Sequence, residues 1–105
     1  MLLAKTQGKK MIAEFAIYPM GQVHYSQTIA EVIKEVQKSG LQYRVGPMGT
    51  SIEGDMDEVF QMIQSCFQLV YQKNKRVIMN VSFDNKENAS THVLDEMVTS
   101  VLQKV

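Results

Sequence analysis

The sequence predicts an α+β domain of the ferredoxin-like class: a βαββαβ sandwich with a four-stranded antiparallel sheet and an additional C-terminal helix. Three observations predict it. Apolar and polar residues alternate from Met11 to Tyr18, a helical stripe of apolar residues follows Asp55, and the elements succeed one another as β-α-β-β-α-β-α. The 105 residues have room for one domain. We predict that it spans residues 11–105, after a flexible extension over residues 1–10, which show no periodicity.

The first half of the domain is predicted to contain one strand and one helix. Met11 to Tyr18 alternates with a period of two and forms the first strand, which Pro19 and Gly21 end. Ser26 is the predicted N-cap of the helix that follows, and Gly40 is its predicted C-terminal cap. The apolar residues that repeat at helical spacing between them are Ile29, Val32, Ile33 and Val36.

A hairpin and a second helix come next. Leu41 to Gly46 and Thr50 to Gly54 are the predicted second and third strands, joined by a tight turn. Asp55 and Glu58 have the spacing of a capping box, and the helix is predicted to end near Asn74. Its apolar stripe is the clearest in the chain: Met56, Val59, Phe60, Ile63, Phe67, Val70 and Tyr71.

The remaining residues are predicted to form a fourth strand, a polar loop and a third helix. The strand covers Lys75 to Phe83, the loop Asp84 to Ala89, and the helix Ser90 to Val105. Right-handed crossovers place the first two helices on one face of the sheet, with strand order 4-1-3-2. The other face is predicted to be bare and to carry Ile12, Glu14, Ala16, Tyr18, Gln42, Arg44, Ser51, Glu53, Ile78, Asn80 and Ser82.

Composition argues against several classes of function. Lysine plus arginine and aspartate plus glutamate both number 11, so there is no excess of positive charge that would indicate nucleic-acid binding. The single cysteine, Cys66, forms no internal disulfide and no metal cluster, so we expect no cofactor and a reducing, cytoplasmic setting. The apolar stretch from Met1 to Ala4 is too short for a signal peptide, and no run approaches the roughly 20 residues of a membrane helix.

The predicted bare face contains polar residues suited to a ligand. Glu14, Glu53 and Asn80 lie on adjacent strands, so they would be about 5 Å apart laterally if the registers align. Two carboxylates beside an amide suit a cationic or amine-bearing small molecule. The alternative is that both glutamates only pair with Arg44 or with a lysine of another subunit. Apolar residues on the same face favour self-association.

The residues do not favour catalysis. Glu14 and Glu53 could serve as an acid–base pair, but paired carboxylates on a sheet are more often structural, and no nucleophile with a nearby base stands out. His24 and His92 are interpreted as surface residues, and Cys66 as a buried, inert thiol. We therefore expect a protein that is not an enzyme.

Three stretches resemble one family closely. These are MIAEFAIYPMG from Met11, SGLQYRVGPM from Ser39, and GPMGTSIEGD from Gly46 followed by Met-Asp-Glu-Val. Together they resemble the thiamine-binding protein family, over nearly all of residues 11–105. The family pattern commonly has an acidic pair followed by arginine after the last strand, where this chain has Asp84-Asn85-Lys86.

The resemblance implies a ferredoxin-like fold, dimers that pair as tetramers, and binding of thiamine or its hydroxymethylpyrimidine part without chemistry. Matching motif positions carries over Ser26, Thr50 and Glu53 as ligand contacts, and Asn80 and Glu14 join them from the bare-face cluster. The alternative function is a structural or partner-binding module whose sheet face serves only subunit assembly. An enzyme of thiamine or pyrimidine metabolism is a third reading, for which no catalytic group stands out.

Overall fold

The computed structural model describes residues 9–87 and 93–105, which form seven elements in the predicted order. Outside the described residues lie residues 1–8 of the extension predicted over residues 1–10, the end of the predicted polar loop and the first residues of the predicted third helix. The elements are β1 (Lys9–Pro19), α1 (Ser26–Ser39), β2 (Gln42–Val45), β3 (Thr50–Asp55), α2 (Met56–Tyr71), β4 (Val77–Glu87) and α3 (Val93–Leu102).

The four strands form one antiparallel sheet in the order β2-β3-β1-β4, which is the predicted order 4-1-3-2 viewed from the opposite edge. This arrangement confirms the ferredoxin-like fold. The central strand β1 pairs with β4 along its whole length, from Lys9 opposite Glu87 to Pro19 opposite Val77. Its pairing with β3 is shorter and ends where Phe15 lies opposite Thr50.

The core lies between α1, α2 and one face of the sheet. β1 contributes its odd-numbered residues, as the alternation predicts, and α2 contributes one residue from each successive turn. Only Val59 and Val70 of these α2 residues belong to the predicted stripe, and Phe60 and Tyr71 of that stripe are exposed. The third helix takes no part in this core. The buried residues are Met11, Ala13, Phe15, Ile17, Val32, Val36, Ile52, Val59, Met62, Cys66 and Val70.

Two of the three predicted helix caps form and one does not. Gly40 has φ of 78° and caps α1 in the left-handed conformation, as predicted. The capping box also forms, and the backbone N–H of Asp55 donates to Glu58 Oε1 at 3.2 Å. The prediction of Ser26 as N-cap is wrong. Tyr25 is the N-cap, because its carbonyl accepts from Ile29 N at 3.0 Å, which makes Ser26 the first helical residue.

Strand lengths differ most from the prediction at one end of the β1–β4 ladder, where Lys9 lies opposite Glu87. β1 begins at Lys9, two residues before the predicted start, and β4 continues through Asp84 to Glu87, where a polar loop was predicted. Each of the two strands provides backbone hydrogen-bond partners for the other, and this pairing outweighs the polar composition of Asp84–Glu87.

None of the described helices is long and apolar enough to cross a membrane.

Removing the capping box tests the link between β3 and α2. Asp55→Ala deletes the side chain that satisfies an exposed amide of the first turn, and we expect the free energy of unfolding to fall by about 1 kcal/mol. Glu58→Gln is the matched control, because glutamine can also bond back to the N-cap amide. Urea denaturation measures both. Equal losses in the two variants would contradict the role assigned to Asp55.

The Cys66 thiol provides a test of the core. It is fully buried and lies 3.7 Å from Met62 Sδ. Burial, with a smaller contribution from the charge of Glu35, raises its pKa to about 12. We therefore expect no reaction with a thiol reagent at pH 8 until the protein is unfolded. Because the pKa of the thiol is higher in the folded than in the unfolded protein, the thiol contributes stability that is fully present below its ordinary pKa of 9.0. This contribution is lost as pH rises toward 12. The free energy of unfolding should therefore fall more steeply over that range in the wild type than in Cys66→Ala.

Candidate functional site

A cavity of about 270 Å³ lies at the end of β1, between the start of α1 and the loop that joins β2 to β3. Its walls come from three separate segments of the chain, which the fold brings together. Most of the side chains are apolar or aromatic. The lining residues are Phe15, Ala16, Ile17, Tyr18, Tyr25, Ile29, Val32, Val45, Gly46, Pro47, Met48, Gly49 and Thr50.

The cavity exists because β3 is shorter than β1. The first residue of β3, Thr50, lies opposite Phe15, so the four residues from Ala16 to Pro19 pair with β4 but not with β3. The β2–β3 loop closes in front of this uncovered edge, and its own bond from Gly46 N to Gly49 O, at 2.8 Å, keeps the loop tight. The strand edge and the loop thus form two sides of the cavity.

Gly49 sets how closely the loop approaches β1. A Cβ atom at this position would lie 3.0 Å from the backbone oxygen of Phe15 and 3.5 Å from Glu14 Cγ. Since the nearest atom belongs to the backbone, it cannot rotate away as a side chain could. A glycine at this position therefore allows the loop to come within contact distance of β1.

The chemistry of the lining suits a small, flat ring. Tyr18 and Tyr25 contact each other edge to face, with their ring centroids 6.2 Å apart and an interplanar angle of 87°. Thr50 is buried on the helix side of the sheet, like its strand partner Phe15, and brings a hydroxyl to the cavity wall. Two tyrosine hydroxyls, one threonine hydroxyl and the loop backbone can donate or accept hydrogen bonds. The arrangement combines aromatic walls with a few polar groups, as small-molecule sites do.

Of the five residues predicted as ligand contacts, Thr50 lines the cavity and Ser26 lies beside it. Ser26 is exposed and lines a shallow depression that shares Tyr25 and Ile29 with the cavity. The other three predicted contacts do not line the cavity.

Glu53 lies elsewhere, at the opposite end of the sheet and on its other face. It is only 5% exposed, and its Oε2 accepts a hydrogen bond from the backbone N–H of Leu94 at 3.2 Å. Leu94 is itself buried against Ile12. An ion pair between Arg44 and Asp95 joins the same helix to β2. The predicted bare face is therefore covered at this end by the start of α3.

Glu14 and Asn80 are exposed on that same face, but the registers do not bring them together with Glu53. Glu53 is opposite Ile12 of β1, Glu14 is opposite Ser51 and Ser82, and Asn80 is opposite Ala16. Glu53 and Asn80 thus lie on opposite sides of β1 and about 13 Å apart along it. The predicted lateral spacing of about 5 Å for the three side chains is wrong, because it assumed that their registers align.

The comparisons with known proteins agree on one family. The sequence profile of the family described as thiamine-binding protein matches residues 13–102. This chain belongs to the thiamine-binding protein family. Among its relatives, UPF0045 protein sll0230 of Synechocystis is 28% identical over 92% of this chain and 81% of the relative. A UPF0045 protein encoded in the glkA 3′ region of Staphylococcus xylosus is 31% identical over 86% of this chain and 90% of the relative.

Two solved structures confirm the fold of this thiamine-binding family member. Hypothetical protein MJ1052 of Methanocaldococcus jannaschii superposes with a TM-score of 0.77 at 24% identity, over 88% of this chain and 96% of its own. A proposed thiamine biosynthesis/salvage protein of Thermotoga maritima, TM0486, gives a TM-score of 0.75 at 22% identity, over 88% and 98%.

Sequence reasoning missed most of the cavity of this family member. Tyr18 was placed on the bare face, Tyr25 was not singled out, and Pro47 and Met48 were interpreted only as a tight connection. The available signal was the pair of tyrosines on either side of the Pro19–Gly21 break. Such a loop returns toward its own strand, so two aromatic residues at its ends can meet.

The contact between Glu53 and α3 generates a prediction for stability. Glu53→Ala leaves the Leu94 amide without its acceptor, and we expect the free energy of unfolding to fall by about 1–3 kcal/mol. The mutation should also accelerate amide hydrogen exchange more in α3 than in α1. Glu14→Ala, an exposed carboxylate on the same face, is the control and should change stability by less than about 0.5 kcal/mol. Unchanged exchange in α3 would show that Glu53 does not hold the helix.

Proposed function

We propose that this protein binds thiamine or its hydroxymethylpyrimidine part in the cavity at the end of β1, without chemistry, as a cytoplasmic homo-oligomer. The observation that carries the proposal is the cavity itself: tyrosine walls and a buried threonine hydroxyl, closed by the family's Pro-Met-Gly-Thr loop. Membership of the thiamine-binding family and the name of the Thermotoga maritima neighbour support the choice of ligand. Thr50 is the proposed polar contact, and Ser26 a peripheral one.

The size of the cavity favours a single small ring. Small-molecule sites usually occupy about 300–1,000 Å³, and this cavity, at about 270 Å³, lies just below that range. A substituted pyrimidine is flat, has an apolar face for the tyrosines, and presents nitrogen and amino groups at its rim. Those groups match the hydroxyls of Thr50, Tyr18 and Tyr25. The pyrimidine half of thiamine therefore fits the lining better than a larger ligand would.

The charge of the lining favours the neutral half of the ligand. The cavity residues carry no carboxylate, ammonium or guanidinium group, and Glu53, one of the two carboxylates predicted to suit a cationic ligand, instead accepts a hydrogen bond from the Leu94 amide. A cation placed in the cavity would thus lack a paired charge. We infer that the pyrimidine supplies most of the binding energy. The same absence of an acid, base or nucleophile other than tyrosine and threonine supports a binding role over a catalytic one.

Self-association into a dimer or tetramer is supported by the exposed apolar surface of α3. Four side chains of this helix form one patch and are 40–65% exposed, which is unusual for a helix whose first turn is anchored on the sheet. The patch consists of Met97, Val98, Val101 and Leu102. Burying it against another subunit would remove apolar surface from water.

Titration calorimetry with thiamine and with hydroxymethylpyrimidine tests the ligand. We expect both to bind, with affinities within about tenfold of each other, because the lining offers little to the thiazolium. Thr50→Val keeps the shape of the side chain and removes the hydroxyl. It should weaken binding of both ligands by about fivefold, the effect of one neutral hydrogen bond. Absence of heat with either ligand at millimolar concentration would refute the proposal.

Two control variants assign the effect to the cavity. Ser51→Ala removes a neighbouring hydroxyl from the opposite face of β3 and should leave affinity unchanged. Glu53→Gln should also leave affinity unchanged, since Glu53 lies outside the cavity. If Glu53→Gln instead weakened thiamine binding more than hydroxymethylpyrimidine binding, the cationic site predicted from the sequence would be correct and the cavity assignment wrong.

A structural or partner-binding module is the second candidate function. The observation that favours it is that Glu53, the one buried carboxylate among the predicted contacts, is used to anchor α3. In that case the α3 patch is the functional surface and the cavity is incidental. A protein that self-associates fully but binds neither ligand would support this second function.

A further inference from the structure

Ile17 lies in the stretch of β1 that pairs with β4 but not with β3, and it lines the cavity. The residue is only 3% exposed. Buried backbone N–H and C=O groups are paired in nearly all proteins, so both groups of Ile17 need a partner. The directions in which they point follow from the two neighbouring ladders.

The β1–β4 ladder directs the Ile17 groups away from β4. Met20 N donates to Arg76 O at 2.9 Å, and this pair continues the β1–β4 register. In an antiparallel ladder, bonded and non-bonded pairs alternate. The even-numbered residues of β1 therefore bond to β4. Ile17 forms a non-bonded pair with Met79, and its N–H and C=O point toward the side where β3 would lie.

The β2–β3 ladder gives the same direction independently. Gly46 N donates to Gly49 O at 2.8 Å, so Gly49 bonds toward β2 and the next residue, Thr50, bonds toward β1. Thr50 lies opposite Phe15, which means that the odd-numbered residues of β1 bond to β3 wherever β3 is present. Both ladders thus indicate that Ile17 presents one donor and one acceptor to a position that β3 does not reach.

The hairpin tip takes away the residue that would have paired with Ile17. Continuing the β1–β3 register two residues beyond the Phe15–Thr50 pair places Met48 opposite Ile17. Met48 instead lies at the tip of the β2–β3 hairpin and is 84% exposed. In the described part of the chain, no hydrogen bond reaches the N–H or C=O of Ile17. The cavity thus occupies the place of a strand residue.

We propose that the cavity recognises a cyclic amidine, in which a ring nitrogen lies next to a carbon that carries an amino group, through the backbone of Ile17. The ring nitrogen accepts a hydrogen bond from the Ile17 N–H, and the amino group donates one to the Ile17 C=O. The ligand then replaces the backbone of the absent strand residue. The inference rests on the ligand-binding function proposed above and specifies which edge of the pyrimidine is bound.

The walls of the cavity fit a ring that is held in this way. A ring bonded to the edge of a strand continues the plane of the sheet, so its two faces are turned toward the two sides of the sheet. Ile29 and Val32 of α1 line the cavity on the helix side, and Tyr18 belongs to the opposite face by strand alternation. Apolar contact and backbone pairing thus favour the same orientation of the ring.

Two pyrimidines of the same shape test the amino group. 4-Amino-2-methylpyrimidine carries the amidine edge, whereas 2,4-dimethylpyrimidine has a methyl group in place of the amino group. We expect the dimethyl compound to bind at least about tenfold more weakly, because it leaves the buried carbonyl of Ile17 without a donor. Titration calorimetry measures both affinities, and equal values would overturn the inference.

An ester in place of one amide tests the N–H of Ile17 itself. Replacing Ile17 by its α-hydroxy acid analogue removes the N–H and retains the side chain. We expect the affinity for 4-amino-2-methylpyrimidine to fall about fivefold, the effect of one neutral hydrogen bond. Replacing Ile12 by the same hydroxy acid is the matched control, because its N–H bonds to β4 outside the cavity. The Ile12 variant should lose more stability than the Ile17 variant and keep its affinity.

Amide hydrogen exchange tests the contact in the unmodified chain. In the free protein, the Ile17 amide should exchange faster than the amides of Ala16 and Tyr18, since only Ala16 and Tyr18 are odd-even neighbours that differ from Ile17 in bonding to β4. Saturation with hydroxymethylpyrimidine should slow exchange at Ile17 by at least about tenfold and leave the other two unchanged. Nuclear magnetic resonance measures all three rates.

The outcomes separate this inference from the function on which it rests. If hydroxymethylpyrimidine binds but exchange at Ile17 does not change, or if the Ile17 ester binds as tightly as the wild type, the backbone contact is overturned and the ligand-binding function stands. If neither hydroxymethylpyrimidine nor thiamine binds, both are overturned. An equal loss of affinity in the Ile12 and Ile17 esters would show that the ester acts through the fold, which would overturn the assignment to Ile17.

Discussion

The two strands on either side of β1 differ in length, and this difference determines where the β2–β3 loop and the cavity lie. β1 runs the full length of β4, 11 residues, while β3 has only six. The pairing with β3 stops at Phe15, so the end of β1 has one free edge, and the β2–β3 loop closes over it. Backbone groups left without a strand partner must find another one or remain in contact with solvent. The cavity lies where these backbone groups of β1 face no strand.

A second constraint is the burial of Glu53. A carboxylate that is 5% exposed loses most of its hydration, and this cost must be offset by hydrogen bonds. The amide of Leu94 in the first turn of α3 supplies one, at the end of the helix where the dipole favours negative charge. The Arg44–Asp95 pair is about half exposed and contributes little by comparison. Glu53 and the Leu94–Ile12 contact therefore fix the start of α3, and the rest of the helix stays exposed.

The sequence predicted the features that depend on near neighbours and failed where distant pairing decides. The capping box at Asp55 and the left-handed Gly40 involve residues close in sequence, so spacing and residue type are enough to find them. The period of two placed Glu53 on the correct face, but no local pattern gives the register that separates it from Asn80. The polar segment after Phe83 was predicted as a loop for the same reason, because only its β1 partner makes it a strand.

The sequence predicted ligand contacts and self-association on one bare face, whereas the proposed cavity and the exposed α3 patch share no residue. The cavity lies at the edge of β1 that β3 leaves uncovered, whereas the free edge of β4 lies on the other side of β1. Four ladder pairs connect the two, since Phe15, Ala16, Ile17 and Tyr18 line the cavity and lie opposite Val81, Asn80, Met79 and Ile78 of β4. Because β1 and β4 are bonded along their whole length, a ligand can shift these pairs only by moving the ladder as a unit. The strand wall of the cavity is therefore held in place by its pairing with β4.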